Sequence, residues 1–519
     1  MKKALISGIL IVLCITYLFI YPNDKYFKYK EETNPTSGSV SALKYYGLNC
    51  SELDIDKFIN KNTIKGRLPG ISIVITQGDK TIYEKSFGYA DLKSNQKITS
   101  KTLFELGSNS KAFTALGVLK LEQDGLIKLN DPITKYIPWL QMKYQGMAAT
   151  VTIEELLYHT SGIPSYTIAI IPEANDGDKT AIEKTVRKLA GIELSNKPGS
   201  KHTYATINYD VLGLLIEKVS GEKYEDYIEK KVLKPMGLNS TYMYKSKINS
   251  INMSKGYIIE FSKLKNYEAP SYSGNKPAGY IISNSEDMAA WMKIQLGTYN
   301  LSSFDCKLIE ASHIPNPNLD SSENGMRYAA GWYIYANNGP EFFHSGSNPN
   351  YSSHIVLRPK EKLGVAVLCN TNSFYASTIG NGIMNMLLGT KLVKDIGDFN
   401  ILIDAISTKI IIISSILLCI LLFSLIKLIR HIHFKSRIFQ PRSKKTIIKV
   451  VILSLSLLLV SYTIYSVPYF LFNKRTWEYI FVWYPNTIKI ALYLIYTNIG
   501  LTYLYISLKC LFKKSYEKI

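Results

Sequence analysis

Runs of alternating or β-branched apolar residues occur in two separate parts of the chain. Ile71–Thr76 and Thr81–Phe87 are two such runs, joined by the turn-forming stretch Gln77-Gly78-Asp79-Lys80, a pattern typical of a β-hairpin. Further runs with turn residues between them come much later, at Arg327–Tyr335, Glu341–His344, Ser352–Arg358 and Leu363–Cys369. The residues between the two groups are helical and loop-rich. We therefore predict an α+β fold, in which both groups meet in one antiparallel sheet and a helical lobe is inserted.

The end of the chain has a different pattern, with long apolar runs at Ile410–Ile426, Val450–Phe472 and Ile490–Leu508. Each run is close to the length that spans a bilayer. Buried helices of a soluble protein are the alternative, but lysine and arginine cluster beyond the runs, which favours the membrane. We predict three transmembrane helices within residues 408–512. The middle of each span contains no ionisable residue, which argues against a proton or ion pathway.

Clusters of positive charge predict how the chain crosses the membrane. One cluster, Lys2–Lys3, precedes the first apolar run of the chain. The other two lie in the link between the first two C-terminal runs and after the last run: Lys427, Arg430, Lys435, Arg437, Arg442, Lys444, Lys445 and Lys449, then Lys509, Lys513, Lys514 and Lys518. Under the positive-inside rule all three clusters are cytoplasmic. The chain is then a multi-pass protein of the cell membrane, with residues 23–408 on the outer face.

The N-terminal residues 1–22 have the features of a signal segment. Lys2 and Lys3 precede an apolar run, Ala4–Tyr21, that is long enough to span a bilayer. No small-x-small cleavage site follows it, so we favour an uncleaved signal-anchor, with a cleaved signal peptide as the alternative. Residues 23–50 are polar and form a tether, and residues 51–395 form the extracytoplasmic domain.

Composition supports the membrane as a partner and excludes some other classes. The 519 residues carry a formal net charge of +20, which could suggest nucleic acid, but the chain has no arginine-rich arm, zinc-knuckle spacing or stacking motif. The lipid bilayer explains the charge better. Its six cysteines are widely spread and indicate neither a disulfide framework nor a metal site. Buried free thiols are expected at Cys50, Cys306 and Cys369, with at most one bridge among them as the alternative.

A serine placed one helical turn before a lysine is the first candidate for chemistry. Ser108 and Lys111 lie where a polar loop becomes an apolar helix, and residues three apart share a helix face. A buried lysine with a lowered pKa can take the proton of a serine hydroxyl. Such spacing alone is weak evidence, because the chain repeats it at Ser41…Lys44, Ser262…Lys265 and Ser424…Lys427.

Three later stretches distinguish the Ser108 pair from the others. Leu156–Pro164 contains His159, which by itself is expected to stabilise a loop rather than to react. Pro198–Gly213 places Tyr204 in a Pro-Gly loop before an apolar helix, where it could be a cap, a core residue or catalytic. His344-Ser345-Gly346-Ser347 lies between two strand-like runs, either as an ordinary turn or where a glycine lets a ligand approach the backbone.

Taken in chain order, the stretches that contain Ser108, His159, Tyr204 and His344 resemble the penicillin-recognising serine hydrolases. The resemblance is greatest to the class C β-lactamase branch, with its D,D-peptidases and esterases. The resemblance covers about Ser51 to Leu392 and includes Lys234–Leu238 and Ala278–Met288 as softer signatures. It implies an antiparallel sheet flanked by helices plus an all-helical lobe. The reaction implied is acyl transfer through an ester on a serine, without metal or other cofactor.

The resemblance assigns roles by position in this chain. Ser108 matches the nucleophile, Lys111 its partner lysine, and Tyr204 the tyrosine that acts with the lysine as base and then as acid to the leaving group. His344 and Gly346 match the strand that lines the site. The backbone N–H groups of Ser108 and Ser347 would form the oxyanion hole.

One position departs from the family pattern. Thr206, a predicted substrate-binding residue, stands where β-lactamases and D,D-peptidases usually carry an asparagine that binds the substrate's acylamino group, so efficient β-lactam hydrolysis is in doubt. A substitute contact from Asn208 is one alternative, and a plain helix residue is the other. The threonine variant with membrane helices resembles colibactin-maturing-type peptidases, and similar architecture occurs in FmtA-like cell-wall proteins.

We predict a membrane-anchored serine hydrolase that acts on D-amino-acid or N-acyl peptides, or on similar acyl compounds. An esterase or β-lactamase of the same fold is the nearest alternative. A non-catalytic penicillin sensor is a second, but sensors of that design carry a His-Glu-x-x-His motif, which is missing here. The chain also lacks the Gly-x-Ser-x-Gly elbow of the α/β-hydrolases.

Overall fold

The computed structural model describes residues 50–248, 252–299, 301, 303–316, 325–335, 339–392, 395–440 and 444–514. The predicted signal segment, and the tether up to residue 49, lie outside these ranges. The described chain divides into two compact units. The first contains residues 50–258 and 266–399, and the second contains residues 259–265 and 400–514.

The elements are named in chain order. The strands are β1 (Gly70–Gln77), β2 (Lys80–Asp91), β3 (Gln96–Lys97), β4 (Phe104–Glu105), β5 (Met142–Tyr144), β6 (Met147–Ala149), β7 (Tyr257–Glu260), β8 (Lys263–Asn266), β9 (Ile282–Ser283), β10 (Met326–Tyr328), β11 (Tyr333–Tyr335), β12 (Glu341–Asn348), β13 (Tyr351–Arg358), β14 (Leu363–Cys369), β15 (Arg437–Phe439) and β16 (Phe512–Lys514). The helices are α1 (Glu52–Gly66), α2 (Ser110–Gln123), α3 (Ile153–Leu157), α4 (Ala181–Arg187), α5 (Ile207–Ser220), α6 (Tyr224–Ile228), α7 (Lys276–Gly279), α8 (Ser285–Gln295), α9 (Cys306–Ser312), α10 (Tyr375–Leu388), α11 (Phe399–His433), α12 (Lys444–Tyr465), α13 (Val467–Leu471), α14 (Trp477–Trp483) and α15 (Asn486–Leu511).

An eight-stranded sheet in the order β10-β11-β12-β13-β14-β1-β2-β3 organises the first unit. The early hairpin joins the late strands through antiparallel pairing of β1 with β14, where Ile73 faces Val367. This confirms the predicted sheet. The stretch from Arg327 to Tyr335 divides into β10 and β11, because the chain reverses near Gly331, which has φ +85°. A Cβ atom on that glycine would lie 2.5 Å from the Cα of Ala112.

The sheet is covered on both faces, so β1 is buried from Gly70 to Thr76, including the polar residues Ser72 and Thr76. Ile71, Ile73 and Ile75 belong to one apolar cluster, which also contains buried residues of α1 and α10. Val74 points to the opposite face and belongs to the larger cluster, which fills the helical lobe. The central residues Ile73, Val74 and Ile75 are therefore apolar on both faces, as expected for a strand that is covered on both sides.

Local capping sets where several helices begin. The Ser51 side chain accepts a hydrogen bond from the N–H of Asp54, and Thr152 does the same for Glu155, with both carboxylates returning a bond to complete a capping box. Asn284 accepts from the N–H of Asp287 at the start of α8. These caps satisfy backbone donors that the first helical turn leaves unpaired.

The second unit contains three helical segments that are long and apolar enough to span a membrane, Phe399–His433, Lys444–Leu471 and Asn486–Leu511. They include the predicted runs Ile410–Ile426 and Ile490–Leu508, and all of Val450–Phe472 except its last residue. Within this unit the buried carboxylate of Asp404 accepts hydrogen bonds from the backbone N–H groups of Phe261 and Ser262, at 3.0 and 2.6 Å. Carboxylates that accept backbone N–H groups are strong hydrogen-bond partners.

The cysteines of the described residues are free thiols. Cys50 and Cys369 are buried, Cys306 and Cys419 are exposed, and Cys510 is partly exposed. Burial raises the pKa of the Cys50 thiol to about 11. The expectation of buried free thiols is therefore confirmed for Cys50 and Cys369, but it is wrong for Cys306, whose side chain is exposed.

We expect Trp291→Ala to destabilise the first unit by about 3–5 kcal/mol, the usual cost of removing a fully buried tryptophan. Trp291 is 0% exposed, and its ring stacks on Phe113 with centroids 3.9 Å apart. Thermal unfolding of detergent-solubilised full-length protein, followed by circular dichroism, measures the effect. Met147→Ala, at a side chain that is 68% exposed, is the control and should change stability by less than about 0.5 kcal/mol. Equal melting temperatures in the two variants would contradict this assignment of the core.

Candidate active site

Ser108 lies in a tight turn between β4 and α2, pressed against β12. Gly107 in this turn has φ +53°, and a Cβ atom there would collide with the backbone nitrogen of Ser347. A Cβ atom on Gly346 would collide with the carbonyl oxygen of Leu106. The sequence suggested that Gly346 lets a ligand approach closely. In the structure the group that approaches this glycine is the backbone of the Ser108 turn.

Lys111 occupies the first turn of α2 and is completely buried. Its Nζ lies 3.0 Å from the Oγ of Ser108, 3.0 Å from the Oγ1 of Thr206 and 2.8 Å from the carbonyl oxygen of Ala278. Burial disfavours the charged ammonium and lowers the pKa of Lys111 to about 7. A large fraction of this lysine is therefore a neutral amine near neutral pH.

The three contacts of Lys111 fix the direction of its lone pair. A neutral amine has two N–H donors and one lone pair, whereas an ammonium has three donors. The Ala278 carbonyl can only accept a hydrogen bond, and the Thr206 oxygen can accept the second. The lone pair then faces Ser108, whose hydroxyl can donate to it. This is the geometry that a base needs in order to take the serine proton.

Tyr204 contacts Ser108 from the other side. Its hydroxyl donates to the Oγ of Ser108 at 2.9 Å, and its ring centroid lies 5.1 Å from the Nζ of Lys111. Burial raises the pKa of Tyr204 well above its ordinary value, so the phenol keeps its proton. Around Ser108 the structure thus brings together a proton acceptor, Lys111, and a proton donor, Tyr204.

His344 lines this site from β12 as an uncharged imidazole. Its Nδ1 donates to the carbonyl oxygen of Ser345 at 2.8 Å, and its Nε2 lies 3.3 Å from the hydroxyl of Tyr328. Burial, with a smaller contribution from Lys111, lowers the pKa of His344 to about 3. The residue therefore brings no positive charge to the site at neutral pH.

Thr206 and Asn208 both form hydrogen bonds with other residues of the protein. The hydroxyl of Thr206, which we predicted to face substrate, accepts from Lys111, and the residue is only 7% exposed. Asn208 is fully buried in α5 and contacts Ser161 at 2.9 Å and His159 at 2.8 Å. Of the two alternatives for Asn208, a helix residue with a structural role is the one that the structure supports.

His159 holds the loop that carries Tyr204. Its Nδ1 accepts the backbone N–H of Ala205 at 3.4 Å and lies 2.8 Å from the side-chain nitrogen of Asn208. Because a backbone N–H can only donate, the proton of the neutral ring is on Nε2. The ring centroid lies 4.3 Å from that of Tyr204. These contacts agree with the loop-stabilising interpretation of His159.

The sequence motifs did not indicate Glu105, which links three segments of the site. This side chain is 2% exposed, accepts from the Nδ2 of Asn348 at 2.6 Å and pairs with Lys245 at 2.5 Å. Asn348 also donates to the carbonyl oxygen of Gly279 at 2.9 Å. Asn348 is the residue after Ser347, and Gly279 is the residue after Ala278. The hydrogen bonds of Asn348 therefore hold in place the two backbone segments that lie on either side of Ser108. Only contacts distant in sequence reveal them.

Asp210 is a second residue that the motifs did not indicate. It lies one helical turn after Thr206 on α5, is completely buried, and has no hydrogen-bond partner for either oxygen among the described residues. Burial raises the pKa of Asp210 well above its ordinary value, although Lys111 opposes this. The two groups attract each other when both are charged, so each opposes the effect of burial on the pKa of the other, and burial is the larger effect for both.

The sheet, the inserted helical lobe and the Ser108 cluster together form the architecture of the β-lactamase and penicillin-binding-protein class. The chain belongs to the Beta-lactamase family, whose model matches residues 55–381. This confirms the family to which the motifs pointed. Its members are serine acyl-transferases and hydrolases, and they include penicillin-binding-protein homologues.

Known relatives cover most of the chain. Protein flp of Staphylococcus aureus (strain N315) is 31% identical over 446 residues, which are 86% of this chain and 88% of that protein. Unguisins hydrolase ungD' of Aspergillus campestris is 28% identical over 354 residues, 65% of each chain. Protein flp is an FmtA-like relative, so the match confirms that resemblance.

Solved structures show the same fold. An octameric penicillin-binding protein homologue from Pyrococcus abyssi is 30% identical, with a TM-score of 0.57 over 65% of this chain and 77% of that chain. EstCE1, a hydrolase with promiscuous acyltransferase activity, has a TM-score of 0.54 over 64% of this chain and 94% of that chain, at 19% identity. The second likeness concerns the fold alone.

We expect acylation of this site to rise with pH around a midpoint near 7. Below the pKa of Lys111, about 7, the lysine is an ammonium and cannot accept the Ser108 proton, whereas above it the amine is available. The labelling rate with a fluorophosphonate probe, measured across pH, tests this. Lys111→Ala should label about 10²–10⁴-fold more slowly, the usual contribution of general base catalysis, and should lose the step near pH 7. A step that persists in this variant would assign it to another group.

Proposed function

We propose that the protein is a membrane-anchored serine hydrolase that works through an acyl-enzyme on Ser108. The observation that carries the proposal is the pair of contacts to the Ser108 oxygen, from Lys111 at 3.0 Å and from Tyr204 at 2.9 Å. One partner is a neutral amine that can take a proton, and the other is a phenol that can give one. Serine needs such an activating base to become a nucleophile.

In the acylation step the Ser108 oxygen attacks the substrate carbonyl while its proton passes to the Nζ of Lys111. Negative charge develops on the carbonyl oxygen, and the backbone N–H groups of Ser108 and Ser347 are the proposed donors to it. The bond to the leaving group then breaks, and Tyr204 donates a proton to that group. Lys111 returns a proton to Tyr204, so the free serine has become an ester and the leaving group departs neutral.

Water completes the reaction by the reverse sequence. Lys111, again an amine, takes a proton from the water as its oxygen attacks the ester carbonyl. The ester bond to Ser108 breaks, and the serine oxygen regains a proton either from Lys111 directly or from Tyr204, which Lys111 then reprotonates. The products are a carboxylic acid and the free enzyme, and no metal or other cofactor is part of this scheme.

Substrates in this proposal are D-amino-acid or N-acyl peptides, or related acyl compounds. Support comes from the family, whose members act on acyl and peptide substrates, and from a relative whose name describes it as a hydrolase of unguisins. An ester is the alternative substrate for the same scheme, because the acylation step does not depend on whether nitrogen or oxygen leaves. A panel of D-Ala-D-Ala peptides, N-acyl-D-Asn peptides, a chromogenic cephalosporin and short esters distinguishes them.

The proposal places residues 51–395 outside the cytoplasm, attached to helices within residues 408–512. Support comes from three helices of spanning length and apolarity, and from the basic residues that the sequence places at their predicted inner ends. Positive charge marks cytoplasmic segments. The nucleophile would then meet substrates on the outer face of the cell membrane.

We expect Ser108→Ala to abolish labelling by a fluorescent penicillin or a fluorophosphonate, because no acyl-enzyme can form. Ser110→Ala is the matched control, two residues further along the chain at the start of α2. Its hydroxyl accepts the backbone N–H of Ile281 at 3.1 Å and has no contact with Ser108 in the structure, so labelling should persist. Gel fluorescence and peptide mapping measure both variants. Labelling that survives Ser108→Ala at the same peptide would eliminate the proposed nucleophile.

The proposed topology predicts which segments an external protease can reach. Protease added to intact protoplasts should cut within residues 23–408 and spare the basic link at residues 427–449, because only the former is outside. Epitope tags in the two segments report the cuts on immunoblots. Permeabilised protoplasts are the control, in which the link should also be cut. Cleavage of the link in intact protoplasts would contradict the orientation.

A further inference from the structure

Aromatic and imidazole rings surround Ser108 on the side of Tyr204. The Tyr204 ring stacks with that of Tyr333 at 6.3 Å between centroids, and Tyr333 in turn contacts the rings of His344 at 5.4 Å and Tyr328 at 4.8 Å. His202 lies 6.1 Å from Tyr333. Tyr204, Tyr333 and His202 are partly exposed. We call these five residues the ring wall.

Each member of the ring wall is uncharged at neutral pH. Burial raises the pKa of Tyr333 to about 12 and lowers the pKa of His202 below its ordinary value. The hydrogen bonds of His344 agree with neutrality. Its Nδ1 donates to a backbone carbonyl and its Nε2 faces the hydroxyl of Tyr328, so one proton satisfies both contacts.

Lysines beside the site backbone do not add a free charge to this wall. Lys276, which precedes Pro277 and Ala278, is buried and pairs with Asp176 at 2.6 Å and Glu225 at 3.0 Å. Lys245 pairs with the buried Glu105 at 2.5 Å. Lys111 must be a neutral amine when the reaction begins. Lys245 and Lys276 therefore already have carboxylate partners, and Lys111 carries no charge at the start of the reaction.

We propose that this site selects substrates with no ionised group beside the scissile carbonyl, such as an ester or an internal peptide amide, and discriminates against a bond next to a free carboxylate. The inference rests on the proposed function of Ser108. A carboxylate at the ring wall would lose water without gaining a counter-ion, and the faces of aromatic rings carry partial negative charge. A neutral amide or ester carries no charge to desolvate and is not repelled by the ring faces, and it can stack on the rings.

A matched pair of thioesters tests this selection. Both compounds are N-acetyl-D-alanyl thioesters, and their leaving groups end either in a carboxylate or in the corresponding carboxamide. Thioesters react readily and release a thiol that can be measured continuously, so the ratio of the two kcat/KM values reports recognition of charge. With full-length protein in detergent, we expect the carboxamide to be preferred at least tenfold. A ratio of one, or a preference for the carboxylate, would overturn the inference.

Substitutions at His344 test whether the ring wall is the cause. His344→Lys introduces an ammonium into the wall and should shift the ratio by at least tenfold toward the carboxylate. His344→Gln keeps the position neutral and should retain the preference for the carboxamide, even if both rates fall. An unchanged ratio in His344→Lys, in a variant that still labels at Ser108, would remove the wall from the explanation.

The thioester experiment distinguishes a failure of this inference from a failure of the proposed function. If Ser108→Ala still turns over both thioesters, the proposed nucleophile fails, whatever the ratio. If turnover depends on Ser108 but the carboxylate reacts equally or faster, only the inference on charge fails. Both measurements use the same two compounds and the same preparation of protein.

Discussion

A lysine amine enclosed in the protein interior is the constraint on which the site depends. The side chain of Lys111 is 0% exposed, and its nitrogen contacts protein atoms of the Ser108 turn, of the start of α5 and of the backbone at Ala278. Burial of a charged group is expensive unless it is paired. The folded chain therefore favours the neutral amine, the form that can activate a serine.

Close backbone packing places the other half of the site. Gly107 and Gly346 allow the Ser108 turn and β12 to lie against each other where any side chain would collide. Glu105 and Asn348 link these same segments through buried hydrogen bonds. The proposed oxyanion donors, on Ser108 and Ser347, are backbone groups, so their placement depends on this packing rather than on side-chain identity.

Much of this arrangement can be predicted from the sequence, for identifiable reasons. Apolar periodicity located the strands of the sheet, because both groups of runs have turn residues at their ends. The order of motifs separated Ser108 and Lys111 from the other pairs with the same spacing. The roles of Ala278 and Thr206 toward Lys111 could not be predicted in this way, since a carbonyl oxygen has no sequence signal and a threonine hydroxyl serves many partners. His344 matched its motif, but only its burial and its contacts show that it is uncharged.

The protonation state of Lys111 is the most direct test of this account. Neutron diffraction from deuterated crystals, grown at a pD well above the pKa of the lysine, would locate the deuterons. The account predicts two deuterons on Nζ, directed at the Ala278 carbonyl and at Thr206, with the Ser108 deuteron pointing toward Nζ. Three deuterons on Nζ, with the Ser108 deuteron directed elsewhere, would contradict it.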